Sequence, residues 1–242
     1  MNSKPRALRS YLLIAVVSSC SLGIVASFGS VAQTPSNVVP ITSEPDHKIR
    51  FDNGTVRMYE VLLPKGKGTL VHEHRADSFS IIFGDSEITN EPLGGKPATV
   101  KIPSGAVGFA STEKGPYAHR VIASGDSAFH VIAMELMSPK PAGPASASQR
   151  VDPPFKVVRE NPRGRVYRIR LAPGESTGMF ARPGSTALFA ISSGRIREDV
   201  DGKANRLWDF ETGHFRWIEV PERLSVKNEG TAPIDLVEIE VF

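Results

Sequence analysis

His72 and His74 stand two residues apart in a segment, His72-Glu73-His74, whose surroundings read as β-strand. Strand side chains alternate between faces, so the two imidazoles point the same way and Glu73 points the other, out to solvent. Imidazole suits zinc, copper, iron and nickel. The run reads Gly66-x5-His72-x-His74, then Asp77, then an apolar stretch from Phe79 to Phe83 closed by Gly84. This is a metal-site pattern on a β-scaffold, and by itself it names no reaction.

The elements that must hold these residues come in two copies. Arg57 to Thr69 reads RMYEVLLPKGKGT and Arg165 to Thr177 reads RVYRIRLAPGEST, an offset of 108 at which Arg, Tyr, Leu, Gly and Thr coincide. Each copy closes with a glycine turn, Gly125-Asp126 or Gly230-Thr231, and an alternating apolar segment. Period-two patterning predicts strands at 55–63, 78–83, 98–102, 119–122 and 129–136, and again at 165–171, 187–192, 215–220, 224–227 and 234–242. No window of helical length carries a 3.6-residue period. Twenty-one glycines and 19 prolines are spread as turn punctuation, which favours short strands. The expected architecture is all-β, with one sandwich or small barrel per copy. Residues 50–137 and 155–242 form the two units, and the Pro/Ala/Ser-rich stretch 138–154 links them.

The first 32 residues read as an export signal. Lys4, Arg6 and Arg9 precede an apolar run, and Ser30-Val31-Ala32 is a small-x-small cleavage site. Residues 33–49 follow as a leader, with an edge strand left open there. The expected location is periplasmic or secreted. Cys20, the single cysteine, follows Val17-Ser18-Ser19, a loose lipobox, so a lipid-anchored form is the alternative. Otherwise Cys20 leaves with the signal, and the mature chain has neither disulfides nor a catalytic thiol. Without the three n-region cations, the 29 basic residues fall to 26, equal to the 26 acidic ones. A balanced chain of roughly 210 residues has no electrostatic footprint for nucleic acid or an anionic membrane.

Gly66-x5-His72-x-His74-x2-Asp77 with the strand ending at Gly84 resembles the first motif of the cupin superfamily. Pro103-Ser104-Gly105 and His119-Arg120-Val121 with Ser124-Gly125-Asp126 resemble the second. The resemblance spans residues 50–242 and implies a bicupin, two double-stranded β-helix (jelly-roll-like) barrels in one chain. It also implies a metal site with departures. Ser78 stands where the family carries a glutamate ligand, with Asp77 adjacent, and Gly108 stands where the second-motif histidine falls. Ala123 replaces the family's asparagine. The implied ligand set is His72, His74 and His119, holding a divalent transition metal among Fe, Mn, Zn, Ni and Cu. In the second copy Phe180, Arg182 and Leu224 take those three positions, while Asn228 is retained. That copy reads as a degenerate barrel serving as a packing or dimer partner, or as an apolar ligand pocket.

Two functions of different class fit. One is a small-molecule metalloenzyme, oxygenase-like or isomerase-like. The other is a non-catalytic periplasmic binding or accessory protein. Without an acidic ligand the metal site is more positive by one charge, which favours an anionic or chelating small molecule as partner. Of the remaining candidates, His130 reads as a cross-strand structural residue and His214 as a surface residue at a strand start. Tyr117 and Glu113 read as solvated loop. Met58, Phe79, Ile81, Phe83 and Met134 read as barrel core and pocket wall.

Overall fold

Alternation with period two builds nineteen strands and one turn of 3-10 helix in this computed structural model, which describes residues 38–139, 150 and 152–242. Residues 1–37, which include the segment expected to be an export signal and Cys20, and residues 140–149 and 151 of the expected linker lie outside the described residues. There is no α-helix among the described residues.

The first barrel uses β1 (Val39–Pro40), β2 (Lys48–Asp52), β3 (Val56–Leu63), β4 (His72–His74), β5 (Ser78–Phe83), β6 (Ser86–Pro92), β7 (Ala98–Ile102), β8 (Val107–Ala110), β9 (Tyr117–Ala123) and β10 (Phe129–Leu136). Its sheets run β1-β4-β9-β6-β7 and β2-β3-β10-β5-β8. The second barrel uses β11 (Phe155–Asn161), β12 (Gly164–Leu171), β13 (Phe180–Arg182), β14 (Thr186–Ala190), β15 (Gly194–Val200), β16 (Arg206–Phe210), β17 (Phe215–Ile218), β18 (Glu222–Asn228) and β19 (Ile234–Val241). Its sheets run β11-β12-β19-β14-β17 and β13-β18-β15-β16. Strand for strand, the second order repeats the first. The one addition is β1, part of the leader, which pairs in parallel with the histidine strand, Val39 opposite His72.

In the sheets β2-β3-β10-β5-β8 and β11-β12-β19-β14-β17 the inner strands are largely buried on both faces, while the edge strands β2 and β11 are mostly exposed. One face makes the shared core between barrels, where Met58, Phe79, Ile81, Phe83 and Met134 meet Val166, Ala187, Phe189, Val237 and Ile239. The other faces the interior of its own barrel. The expectation that Met58, Phe79, Ile81, Phe83 and Met134 also wall the pocket is corrected here. They are core, but they face the second barrel across the shared core. The pocket is lined by the residues of opposite parity, Val61, Ile82, Phe129 and Val131 among them. A strand buried on both sides is apolar at every position, so its sequence does not tell the two faces apart. Arg168 of β12 ties the barrels at their edge, bonding the Gly105 carbonyl at 2.5 Å while Asp235 holds the same guanidinium.

Candidate metal centre

β4 and β9 are antiparallel neighbours, and their register places His72 directly opposite His119 and His74 opposite Tyr117. Opposed side chains share a face, so three imidazoles converge inside the first barrel. Their nitrogens offer three donor atoms lying within 4.8 Å of one another. His72 and His74 are buried and His119 is half-buried.

Two of the three rings are fixed by hydrogen bonds behind them. His72 Nδ1 donates to the Leu70 carbonyl at 2.9 Å. His119 Nδ1 donates to Asn90 Oδ1 at 2.7 Å. A proton held at Nδ1 leaves the Nε2 lone pair free for the interior, the arrangement that orients metal-binding histidines. The third ring, His74, is held by stacking on Tyr117, with centroids 4.7 Å apart and planes 10° from parallel. Its Nε2 lies 3.1 Å from Nε2 of His119, and its buried Nδ1 has no hydrogen-bond partner among the described residues.

The electrostatics favour lone pairs over protons. Burial lowers the pKa of His72 to about 4, with His47 adding repulsion. Burial, reinforced by His119 and His72, lowers that of His74 to about 2. Burial and His72 lower that of His119 to about 4. All three are neutral at pH 7. Three neutral imidazoles facing one point, one of them short of hydrogen-bond partners, fit a divalent transition metal.

The leader supplies residues that the sequence reasoning missed. Glu44 is buried and accepts hydrogen bonds from the backbone N–H groups of Asp46 at 2.8 Å and Leu70 at 3.0 Å. It also bonds His47 Nδ1 at 2.6 Å. The His47 ring thereby packs on His72 with centroids 4.4 Å apart and lines the pocket. Asn90 was missed as well. Pro92 of β6 opposes His119, so Asn90, two residues along, is its diagonal neighbour on the same face. The only signal for Asn90 lies in strand register.

The other candidates stand apart from the cluster. Asp77 Oδ1 accepts from the backbone N–H of Thr112 at 2.8 Å and from its hydroxyl at 3.2 Å. Its carboxylate lies 3.4 Å from Arg163, so it serves a loop. Gly108 faces Ser80 across β5 and β8, and a Cβ there would sit 2.4 Å from Ser80 Oγ. A side chain at that position would require Ser80 to change rotamer. His130 bonds Glu60 at 2.9 Å, His214 is exposed just before β17, and Glu113 sits in an exposed turn. Glu73 pairs with Arg75 at 2.5 Å. Tyr117 departs from the expected solvated loop: it is half-buried in β9 against His74, because β9 begins two residues earlier than the sequence pattern indicates.

At the matching place in the second barrel the register is the same and the chemistry differs. Phe180 opposes Leu224, and Arg182 opposes Glu222. Arg182 is fully buried between Glu198 at 3.0 Å and Glu238 at 3.0 Å. Burial alone would raise the pKa of Glu238, yet Arg182 and Arg150 together hold it below the usual value. Arg216 also bonds Glu198 at 2.7 Å. Arg150, at the end of the linker, reaches Glu238 and Glu240 at 2.5 Å each and lies 4.0 Å over the Tyr167 ring and 4.8 Å over Phe180. The interior is thus occupied by paired ions, which corrects the alternative of an apolar ligand pocket. Asn228 is structural: its amide donates to Leu171 O and Ala232 O at 3.0 and 2.9 Å.

The architecture is that of the cupin fold. The chain carries two such barrels in tandem, and the second lacks histidines at the three matching positions. Solved structures sharing this fold include AerE from Microcystis aeruginosa, with a TM-score of 0.58 and 10% identity over 78% of this chain and 88% of that one. Oxalate decarboxylase from Bacillus subtilis gives 0.51 and 14% over 77% and 68%. Salicylate 1,2-dioxygenase from Pseudaminobacter salicylatoxidans gives 0.52 and 15% over 78% and 71%. No protein-family model and no curated protein sequence matches the chain.

Proposed function

We propose that this chain is an exported bicupin that holds one divalent transition metal on His72, His74 and His119, and acts on a small molecule in the first barrel. The observation that carries the reading is the convergence of three neutral imidazoles, two of them oriented by hydrogen bonds from behind. Solved neighbours named as a decarboxylase and a dioxygenase support a metalloenzyme, and the oxygenase type is preferred. A metal so held would supply open coordination positions and Lewis acidity toward an oxygen ligand. The chain's own part is to hold the three lone pairs in place, keep protons off them and line the site with apolar side chains. Export rests on the basic, apolar and small-x-small order of residues 1–32.

A second reading, a binding or accessory protein without turnover, is favoured by one observation: among the described residues, no acidic side chain lines the chamber to act as proton donor or acceptor. Metal analysis of protein purified from a bacterial periplasm, paired with dioxygen uptake across a small-molecule panel, tests both. The proposal expects one equivalent of transition metal, lost in the His72→Ala, His74→Ala double variant, and metal-dependent uptake with at least one compound. Metal without uptake selects the binding protein. Metal content unchanged in the double variant overturns the site.

A further inference from the structure

The chamber in front of the histidines has a volume of about 430 Å³, within the range of sites that enclose a small organic ligand. Its wall is formed by Val61, Ile82, Ile88, Val121, Phe129 and Val131, with Ser78, Ser80 and Asn90 as polar points. Among the described residues, none that lines it is Asp, Glu, Lys or Arg. The charge in this chamber would therefore come from the metal alone. Three neutral imidazoles leave that charge undiminished, and the wall offers no cation to a second anionic group placed away from it.

From these facts we infer that the ligand of the first barrel is an anionic oxygen chelator with an apolar body, and not one that carries a charged group away from the metal. This rests on the metal reading above. The chelating oxygens meet the metal, and the body displaces water from an apolar wall. A remote carboxylate or ammonium would be desolvated there without a partner.

Comparison of the two barrels identifies what opens the chamber. Ala133 opposes Tyr59 across β10 and β3, and Glu238 opposes Tyr167 across β19 and β12. The offset of 108 makes the two tyrosines equivalent, so Ala133 and Glu238 occupy one position. Ala133 leaves space in the first barrel, and Glu238 fills it in the second. A longer side chain is therefore compatible with the backbone at position 133.

The test uses the mature chain loaded with cobalt(II), read by its visible absorption and by titration calorimetry. Cobalt content is measured after each titration. The probes are tropolone, its 4-isopropyl derivative and oxalate. We expect both tropolones to bind at least tenfold more tightly than oxalate, and the isopropyl group to strengthen binding. Ala133→Leu should erase the isopropyl gain while cobalt affinity stays within twofold of wild type. Should that variant not fold, Val100→Arg serves in its place. Val100 lines the chamber at 44% exposure, and a cation there should raise oxalate affinity relative to the tropolones. Oxalate binding as tightly as tropolone, or no effect of the isopropyl group, overturns the ligand class and leaves the metal site standing. Failure to take up cobalt removes the metal reading, and with it this inference.

Discussion

The two barrels share a strand order and a register yet solve the same interior position in opposite ways. His72 opposite His119 in the first becomes Phe180 opposite Leu224 in the second. At the offset of 108, His74 becomes Arg182 and Asn90 becomes Glu198. In the first barrel the amide holds a neutral ring, and in the second the carboxylate holds a guanidinium. The element entering each barrel follows suit. His47 packs against His72 in one, and Arg150 lies over Phe180 in the other. The first interior keeps polar groups neutral and leaves a cavity. The second fills the cavity with ions that neutralise each other. A fold repeated so closely shows that the scaffold dictates where chemistry can occur and the side chains decide whether it does.

The strongest way to break this comparison is proton linkage in the metal-free protein. An unfolded histidine takes its proton near pH 6.5, whereas the folded cluster resists protonation down to about 4, 2 and 4 for His72, His74 and His119. The unfolded state therefore binds more protons between those values. Stability is full above pH 6.5 and falls as the pH is lowered toward 4, by up to about 1.4 kcal/mol per pH unit for each histidine. Glu238, held low, retains its contribution in that window and loses it only as the pH falls below the ordinary carboxylate range. Urea unfolding at pH 7, 6 and 5 measures this. A flat profile would show that the histidines are not held neutral.

Next in size is Arg182→Met. It leaves Glu198 and Glu238 buried against each other without their shared cation. The expected loss is about 3–5 kcal/mol in urea unfolding, with metal affinity unchanged. A loss below about 1 kcal/mol would mean that Arg150 and Arg216 alone satisfy both carboxylates. Smaller again is Asn90→Ala, which frees the His119 ring. Metal affinity should weaken roughly tenfold to a hundredfold, with the fold intact by circular dichroism, and no change would assign Asn90 no part in the site.

Much of this was readable in the chain. The repeat at offset 108, the boundaries of β5, β7 and β10, and the residues taking the histidine positions in the second copy follow from period-two patterning and local alignment. The identity of the pocket wall does not, because β5 and β10 are apolar on both faces and Ile81 differs from Ile82 only in direction. β6, β15 and β16 carry Glu, Asn, Arg and Asp at too many positions to read as strands, and β6 is where Asn90 sits. His47 lies in a leader that owes its place to Glu44, a contact across 26 residues to Leu70 with no local pattern. The ion network of the second barrel is invisible for the same reason: each Arg and Glu looks like an ordinary surface charge until register brings them together.

The central claim is that one barrel binds metal and its twin does not. Calorimetric titration of the metal-free protein with cobalt(II), in wild type and in the single variants His72→Ala, His74→Ala and His119→Ala, tests it most directly. The account predicts one equivalent per chain in wild type and at least a hundredfold weaker binding in each variant. Two equivalents per chain, or binding that survives any of the three substitutions unweakened, would contradict it.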